Sequence, residues 1–240
     1  MTETLVPANR SPEELAALEE LATQAGRDLE DASAAEILQW ARRTFGDTFA
    51  ITASMADGVL SHVAGQAIPG VDVLFLDTGY HFAETLGTRD AVAASYPVNV
   101  KTVGPSLLVH EHEADFNKLY EIDADMCCSI RKVWPLERAL RPYTAWAGGV
   151  RRAEASTRLT TPVVAWDARR AKVKVNPIAT WTDEQVEAYV AEHNILVNPL
   201  RQIGYTSIGC APCTRPVAPG EDPRSGRWAG LAKTECGLHA

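Results

Sequence analysis

Three strand-like runs, residues 49–51, 71–76 and 98–103, alternate with helical patterns, and no other feature of the chain restricts its fold as much. The first run, Phe49-Ala50-Ile51, is wholly apolar, as a strand buried on both faces must be. A helical stretch through His62 to Gln66 leads to the second run, and another over about residues 84–95 leads to the third. Strands alternating with helices of this length form parallel βαβ units, so the expected fold class is α/β, a doubly wound and mostly parallel sheet. Ligands of such sheets bind beyond the carboxyl ends of the strands. That puts the floor of a site on two turns, Thr52-Ala53-Ser54-Met55-Ala56-Asp57 and Asp77-Thr78-Gly79. A further strand, residues 144–147, ends in Gly148-Gly149, where the absence of side chains lets a ligand approach the backbone.

Ahead of this core, Ser11-Pro12-Glu13-Glu14 joins a serine cap, a first-turn proline and a glutamate three places after the cap, which starts a helix. Leu15, Leu18, Leu21 and Ala22 line its apolar face, and Gly26 is the expected stop. A second helix runs from near Ser33 through Ile37, Leu38 and Ala41 to near Gly46. Later, a helix is expected from Cys128 to Leu140, interrupted or begun around Pro135, and Thr182-Asp183-Glu184-Gln185 opens another with a capping box. After Asn198-Pro199 glycine and proline dominate, and the end of the chain reads as an extended, mobile arm without core periodicity. The expected organisation is an N-terminal helical packing segment (1–47), an α/β core carrying the first cysteine pair (48–204) and a C-terminal loop and tail (205–240).

Charge narrows the choice of partner. With 23 basic against 31 acidic side chains the formal net charge is −8, which argues against a nucleic-acid binder held by phosphates. The distribution is uneven. Residues 1–36 are acidic, whereas residues 131–158 hold Arg131, Lys132, Arg138, Arg141, Arg151, Arg152 and Arg158 against only Glu137 and Glu154. A basic segment in an acidic chain suggests a focused site for a small anion. The start of the sequence has no signal-peptide pattern, and no apolar run has the length of a membrane span. A cytoplasmic location is expected, where thiols stay reduced and paired cysteines suggest metal or redox chemistry.

Five cysteines supply that chemistry. Cys127-Cys128 is followed at once by Ser129-Ile130-Arg131-Lys132, and Cys210-Ala211-Pro212-Cys213 forms a chelating loop whose spacing turns both sulfurs toward one centre. Four thiolates supplied two by two fit a tetrahedral zinc or a cubane iron–sulfur cluster. Side chains of consecutive residues diverge, so Cys127 and Cys128 reach two irons more readily than one zinc. The fifth, Cys236, stands near Lys233, His239, Arg224 and Arg227. Cations beside a thiol lower its pKa from ~8.5 to roughly 3.5–7.5, which makes Cys236 the candidate nucleophile.

Taken together, Cys127-Cys128-x-x-Arg131-Lys132, Gly209-Cys210-x-Pro212-Cys213-Thr214, Arg224-x-Gly226-Arg227-Trp228 and Lys233-Thr234-Glu235-Cys236-Gly237-Leu238-His239 resemble the PAPS/APS reductase family. Within it they look like the assimilatory adenylylsulfate (APS) reductases of the thioredoxin-dependent, iron–sulfur type, similar to actinobacterial members. The resemblance covers about residue 48 to the end. It implies the adenine-nucleotide hydrolase-like sheet related to ATP pyrophosphatases, with a [4Fe–4S] cluster on Cys127, Cys128, Cys210 and Cys213. It places the turn from Thr52 through Ser54, with the backbone around Leu76 and Gly149, on the adenosine. Lys132, Arg158, Arg224, Arg227 and His239 then surround the phosphosulfate, and Cys236 is catalytic. Thr52 stands where many members have serine, and its hydroxyl can still donate. The turn lacks the glycines with which ATP-cleaving relatives grip pyrophosphate, which speaks against ATP hydrolysis.

The implied reaction is reduction of APS to sulfite and AMP through a cysteine S-sulfonate that thioredoxin resolves, a step of sulfate assimilation toward cysteine. Three rivals share these residues: a reductase of the 3′-phosphorylated substrate PAPS, an ATP-dependent sulfur- or nucleotidyl-transfer protein with a zinc site, and a noncatalytic iron–sulfur sensor. The residues leave open whether the chain forms a homo-oligomer.

Overall fold

A computed structural model describes residues 10–106, 109, 118–228, 233 and 237–238. Six strands, β1 (Phe49–Thr52), β2 (Asp72–Leu76), β3 (Asn99–Val103), β4 (Ala145–Gly148), β5 (Val164–Asp167) and β6 (Lys172–Val175), form one sheet in the order β3-β2-β1-β4-β6-β5. Every neighbouring pair is parallel except β5 with β6. The chain moves outward from β1 to β2 and β3, then returns to lay β4 on the other side of β1. That reversal opens a crevice above the ends of β1 and β4.

The hairpin of β5 and β6 has no counterpart in the sequence expectation. Each strand has four residues, and in β6 lysine alternates with valine, so the run reads as loop until β4 lies beside it and buries Val173 and Val175.

Helices cover both faces. On one side, α1 (Pro12–Asp28), α2 (Ala34–Phe45), α3 (Val59–Ala67) and α8 (Asp183–His193) bury Ala22, Leu38, Val63 and Val186 in the same apolar cluster as Phe49 and Ile51 of β1. On the other side Ala50, Leu74 and Trp146 pack under Leu136 and Leu140. Successive residues of β1 thus face opposite clusters, as the period of a strand requires. α4 (Ala83–Ser95) links β2 to β3.

Both N-terminal helices start on capping boxes: the Ser11 hydroxyl accepts the Glu14 N–H at 3.2 Å and the Glu14 carboxylate accepts the Ser11 N–H at 2.7 Å. Gly26 does not stop α1, which runs on to Asp28. A Cβ at Gly26 would lie 2.5 Å from the Val164 carbonyl oxygen, so this glycine lets α1 lie against the edge strand β5. An edge covered by a helix cannot pair with another chain.

The helix expected from Cys128 starts earlier. Short helices α5 (Leu119–Ile122) and α6 (Ala124–Cys128) lead into a π turn, Ser129–Val133, and then α7 (Trp134–Ala139). The Trp134 N–H bonds the Ser129 carbonyl, five residues back. Proline has no N–H and its ring clashes with the carbonyl four residues back. Slipping the ladder by one residue just ahead of Pro135 lets the chain stay helical through it. Arg131 and Lys132, which follow the cysteine pair after Ser129 and Ile130, are buried within this bulge, and such bulges are frequent at functional sites.

The described part of the C-terminal stretch packs on the body. Ile208, Cys210 and Trp228 are buried, Lys233 pairs with Asp125, and Leu238 packs against the cluster around Trp146. Cys236 and His239 lie outside the described residues.

Candidate functional site

A cavity of about 290 Å³ opens at the reversal of the sheet. Thr52 and Ser54, Leu76, and Gly149 line it from the ends of β1, β2 and β4 respectively. Lys132, Arg158, Arg224 and Arg227 line it from the other elements. The structure therefore brings together every described residue that the sequence placed on the substrate.

The turn after β1 is held in an uncommon conformation. Met55 is fully buried with φ +60°, a region that side chains other than glycine visit only when their surroundings enforce it. Asn198 does the enforcing. Its Nδ2 donates to the Met55 carbonyl at 3.1 Å and to the Thr85 hydroxyl at 3.0 Å, while its N–H bonds the Ala56 carbonyl at 3.2 Å. The Thr52 hydroxyl donates to the Ala147 carbonyl at 3.0 Å, so its proton faces β4 and its oxygen remains as an acceptor.

The cations of the cavity differ in their company. Arg151 pairs with Asp183 at 2.8 Å, Arg158 with Glu154 at 2.5 Å, and Arg201 with Glu187 at 2.8 Å and Asp57 at 3.4 Å. Carboxylates thus partly neutralise this side of the cavity. Asp57 ends one of the two turns expected to floor the site, and His81 stands two residues after the other, where it reads as structural; Arg201 has no local pattern to mark it, because long-range packing brings it in.

Arg227 is positioned by backbone that only small residues permit. A Cβ at Gly209 would lie 2.4 Å from the Arg227 guanidinium, and one at Gly226 would lie 2.2 Å from the Arg215 carbonyl oxygen. The guanidinium lies 4.4 Å from the centre of the Trp228 ring. Trp228 itself has φ +48°, and its N–H bonds the Cys213 carbonyl at 3.0 Å, tying this turn to the cysteine loop.

That loop meets the first cysteine pair. Cys127, Cys128 and Cys210 are buried and Cys213 half-buried, and none of the four is in a disulfide. The sulfurs act on one another's charge. Burial, then Cys128 and Cys210, push the Cys127 thiol up to about 11 against the pull of Arg131. Burial and Cys210 likewise push Cys213 up. Burial raises Cys210 too, but the charge and hydrogen bond of Lys132, the Thr78 hydroxyl at 3.3 Å and the charge of Arg227 outweigh it and bring this thiol below its ordinary value. Lys132 therefore touches the thiol quartet and also lines the cavity. Arg131 points the other way. Its Nη1 donates to the Thr78 carbonyl at 2.9 Å and its guanidinium lies 4.2 Å over the Tyr80 ring.

Cys127 and Cys213, raised by burial and by the neighbouring sulfurs, keep their protons at neutral pH unless metal takes the protons' place. Among the described residues no group of three or more His, Cys, Asp or Glu side chains is placed to hold a metal ion. Nor is any described helix long and apolar enough to cross a membrane.

Residues 48–216 match the family described as phosphoadenosine phosphosulfate reductase domain. Over 98% of its length the chain is 59% identical to adenosine 5′-phosphosulfate reductase of Streptomyces coelicolor, covering 99% of that protein. It is 54% identical to the protein of the same name from Mycolicibacterium smegmatis, over 92% of this chain and 94% of the relative. Among solved structures, phosphoadenylyl-sulfate reductase from Candida auris superposes with a TM-score of 0.68 at 26% identity, over 87% of this chain and 98% of that one. FMN adenylyltransferase of Candida glabrata shares the fold at a TM-score of 0.52 and 11% identity, over 90% of this chain and 74% of that one. The chain thus shares the α/β fold of both proteins.

Proposed function

The chain belongs to the phosphoadenosine phosphosulfate reductase domain family, and from that membership we propose that it reduces APS to sulfite and AMP in sulfate assimilation. The observation that carries this reading is Lys132, whose ammonium is shared between the thiol quartet and a cavity at the nucleotide end of the sheet.

APS lies with its adenosine on the turn from Thr52 through Ser54 and on the backbone at Leu76 and Gly149. Lys132, Arg158, Arg224, Arg227 and His239 face the phosphosulfate. The Cys236 thiolate attacks the sulfuryl sulfur, and the bond from sulfur to the phosphate oxygen breaks with its electron pair leaving on AMP. The cations stabilise the charge that develops on that oxygen. Cys236 then carries an S-sulfonate. A thiolate of thioredoxin attacks the Cys236 sulfur and expels sulfite, which takes the electron pair of the broken S–S bond. The second thiol of thioredoxin resolves the mixed disulfide and restores Cys236. Both electrons come from the dithiol.

Cys127, Cys128, Cys210 and Cys213 hold the [4Fe–4S] cluster in this reading. The donor set fits it: four thiols from two segments act on one another's charge, and the raised Cys127 and Cys213 lose their protons when metal takes the protons' place. When bound, the cluster supplies a fixed charge that sets the field at Lys132 and the sulfate. Such thiols and such a reductant belong to the cytoplasm, where this chain is proposed to work.

The test is a single turnover without reductant. AMP should appear in stoichiometric amount, and sulfite only after thioredoxin is added. Sulfite appearing without a thiol would sink the two-step scheme. Competition between APS and PAPS separates the two reductase readings, and APS is expected to be turned over in preference.

A further inference from the structure

His81 lines the cavity, yet the chemistry above gives it no task. Its Nε2 lies 2.8 Å from the Leu76 carbonyl oxygen. A carbonyl only accepts, so Nε2 carries the proton and Nδ1 is left with a lone pair. Nδ1 is buried and has no hydrogen-bond partner among the described residues. The ring rests on Phe75 with centroids 4.9 Å apart. Burial first, helped by the charges of Lys132 and Arg89, holds the imidazole below its ordinary pKa against the Leu76 bond and Asp77. His81 is thus a neutral donor with a single fixed direction.

Leu76 is the last residue of β2, and the direction of its backbone can be read from the ladder. The Ala53 N–H bonds the Leu74 carbonyl at 3.2 Å, so that carbonyl faces β1. Ladder direction repeats every second residue, and the N–H and C=O of Leu76 therefore face the same side. Pairing of β1 with β2 ends at Thr52 opposite Leu74. Both polar groups of Leu76 open into the cavity past the end of β1. A carbonyl beside an N–H complements the edge of a 6-aminopurine, whose amino group donates and whose N1 accepts. It opposes a 6-oxopurine, in which O6 accepts and N1–H donates.

We propose that His81 is a positioning residue for the nucleobase: its Nε2–H fixes the Leu76 carbonyl, leaving that oxygen's other lone pair and the Leu76 N–H set for a 6-aminopurine. The proposal rests on the reading of the cavity as a nucleotide site. The Asp77 N–H of the same peptide bonds the Val103 carbonyl at 2.8 Å and holds it from the β3 side; without the His81 donor the carbonyl side loses its fixed partner, and discrimination between the two bases weakens. A histidine that only filled space would leave base preference unchanged when replaced by another ring.

The experiment is calorimetric titration of the full-length, iron-loaded protein with AMP and with IMP, for wild type, His81→Phe and His81→Gln. Wild type should prefer AMP. His81→Phe should lose about tenfold in AMP affinity and distinctly less in IMP affinity, narrowing the preference. His81→Gln, whose amide still donates, should recover most of the difference. With APS as substrate, KM should move more than kcat. The wild-type ring gives a reading that needs no variant: AMP should shift the ¹⁵N signal of Nε2 while Nδ1 stays at its unprotonated position. Equal losses for AMP and IMP, or ¹⁵N signals that ignore AMP, would overturn the inference. Wild type that binds neither nucleotide would overturn the nucleotide-site reading instead.

Discussion

The two sides of the cavity are made of different material. On one side Thr52, Leu76 and Gly149 come from strand ends, and parallel ladders between β1, β2 and β4 hold them. On the other, Lys132 comes from a π turn and Arg227 from a turn in which the next residue, Trp228, has φ +48°. Regular backbone suits the rigid, neutral part of a ligand, which reads peptide groups at fixed spacing. Charges that must converge on one sulfur atom need directions that helices and strands do not offer, and irregular backbone supplies them. The first side should therefore govern which nucleotide binds, and the second how fast sulfur is transferred.

Four changes can break or sharpen that contrast. Cys236→Ser should abolish turnover while AMP binding and the visible absorption of the cluster remain; residual reduction of APS would refute the assignment of the nucleophile. Lys132→Ala should slow S-sulfonate formation by roughly 10²–10³-fold, the usual loss for one donor to a developing oxyanion. Its AMP affinity should change little, and a large rise in the dissociation constant for AMP would erase the distinction between the sides. Asn198→Ala leaves the Met55 carbonyl without its donor inside a buried turn, which costs about 1–3 kcal/mol of stability. A denaturant titration checks that figure, and AMP affinity should fall while the rate from bound APS holds.

The smallest effect is expected far from both sides, at Asp72 where β2 begins. Burial raises this carboxyl, but hydrogen bonds from Lys101, Tyr143 and Asn99 outweigh it and leave it below its ordinary value of 3.8. Its contribution to stability is present above that value and disappears as the pH falls through the lowered one. Asp72→Asn should flatten this acid limb in thermal melts and leave turnover at neutral pH unaltered.

The same contrast decides what can be read without coordinates. β1, β2, β3 and β4, the capping boxes at Ser11, Ser33 and Thr182, and both cysteine pairs depend on neighbours in sequence, so a local pattern marks each of them. The β5–β6 hairpin escapes because its burial comes from β4 and not from its own composition. Asn198 escapes for the same reason, since the carbonyl it holds is 143 residues away. Gly26 misleads: a glycine near a helix end resembles a stop, and only the approach of β5 explains it. The π turn is invisible beforehand because it answers a proline that, read alone, predicts a break. Of the substrate residues expected from the motifs, every described one lines the cavity; His81, next to a floor turn but read as structural, lines it too, and Arg201 enters through contacts that no motif encodes.

The division between a bound quartet of thiols and one reactive thiol is tested most directly by native mass spectrometry. Protein prepared without air and mixed with APS, with no reductant present, should gain one SO₃ on Cys236 and keep its iron–sulfur cluster. An unchanged mass, or SO₃ on Cys127, Cys128, Cys210 or Cys213, would contradict it.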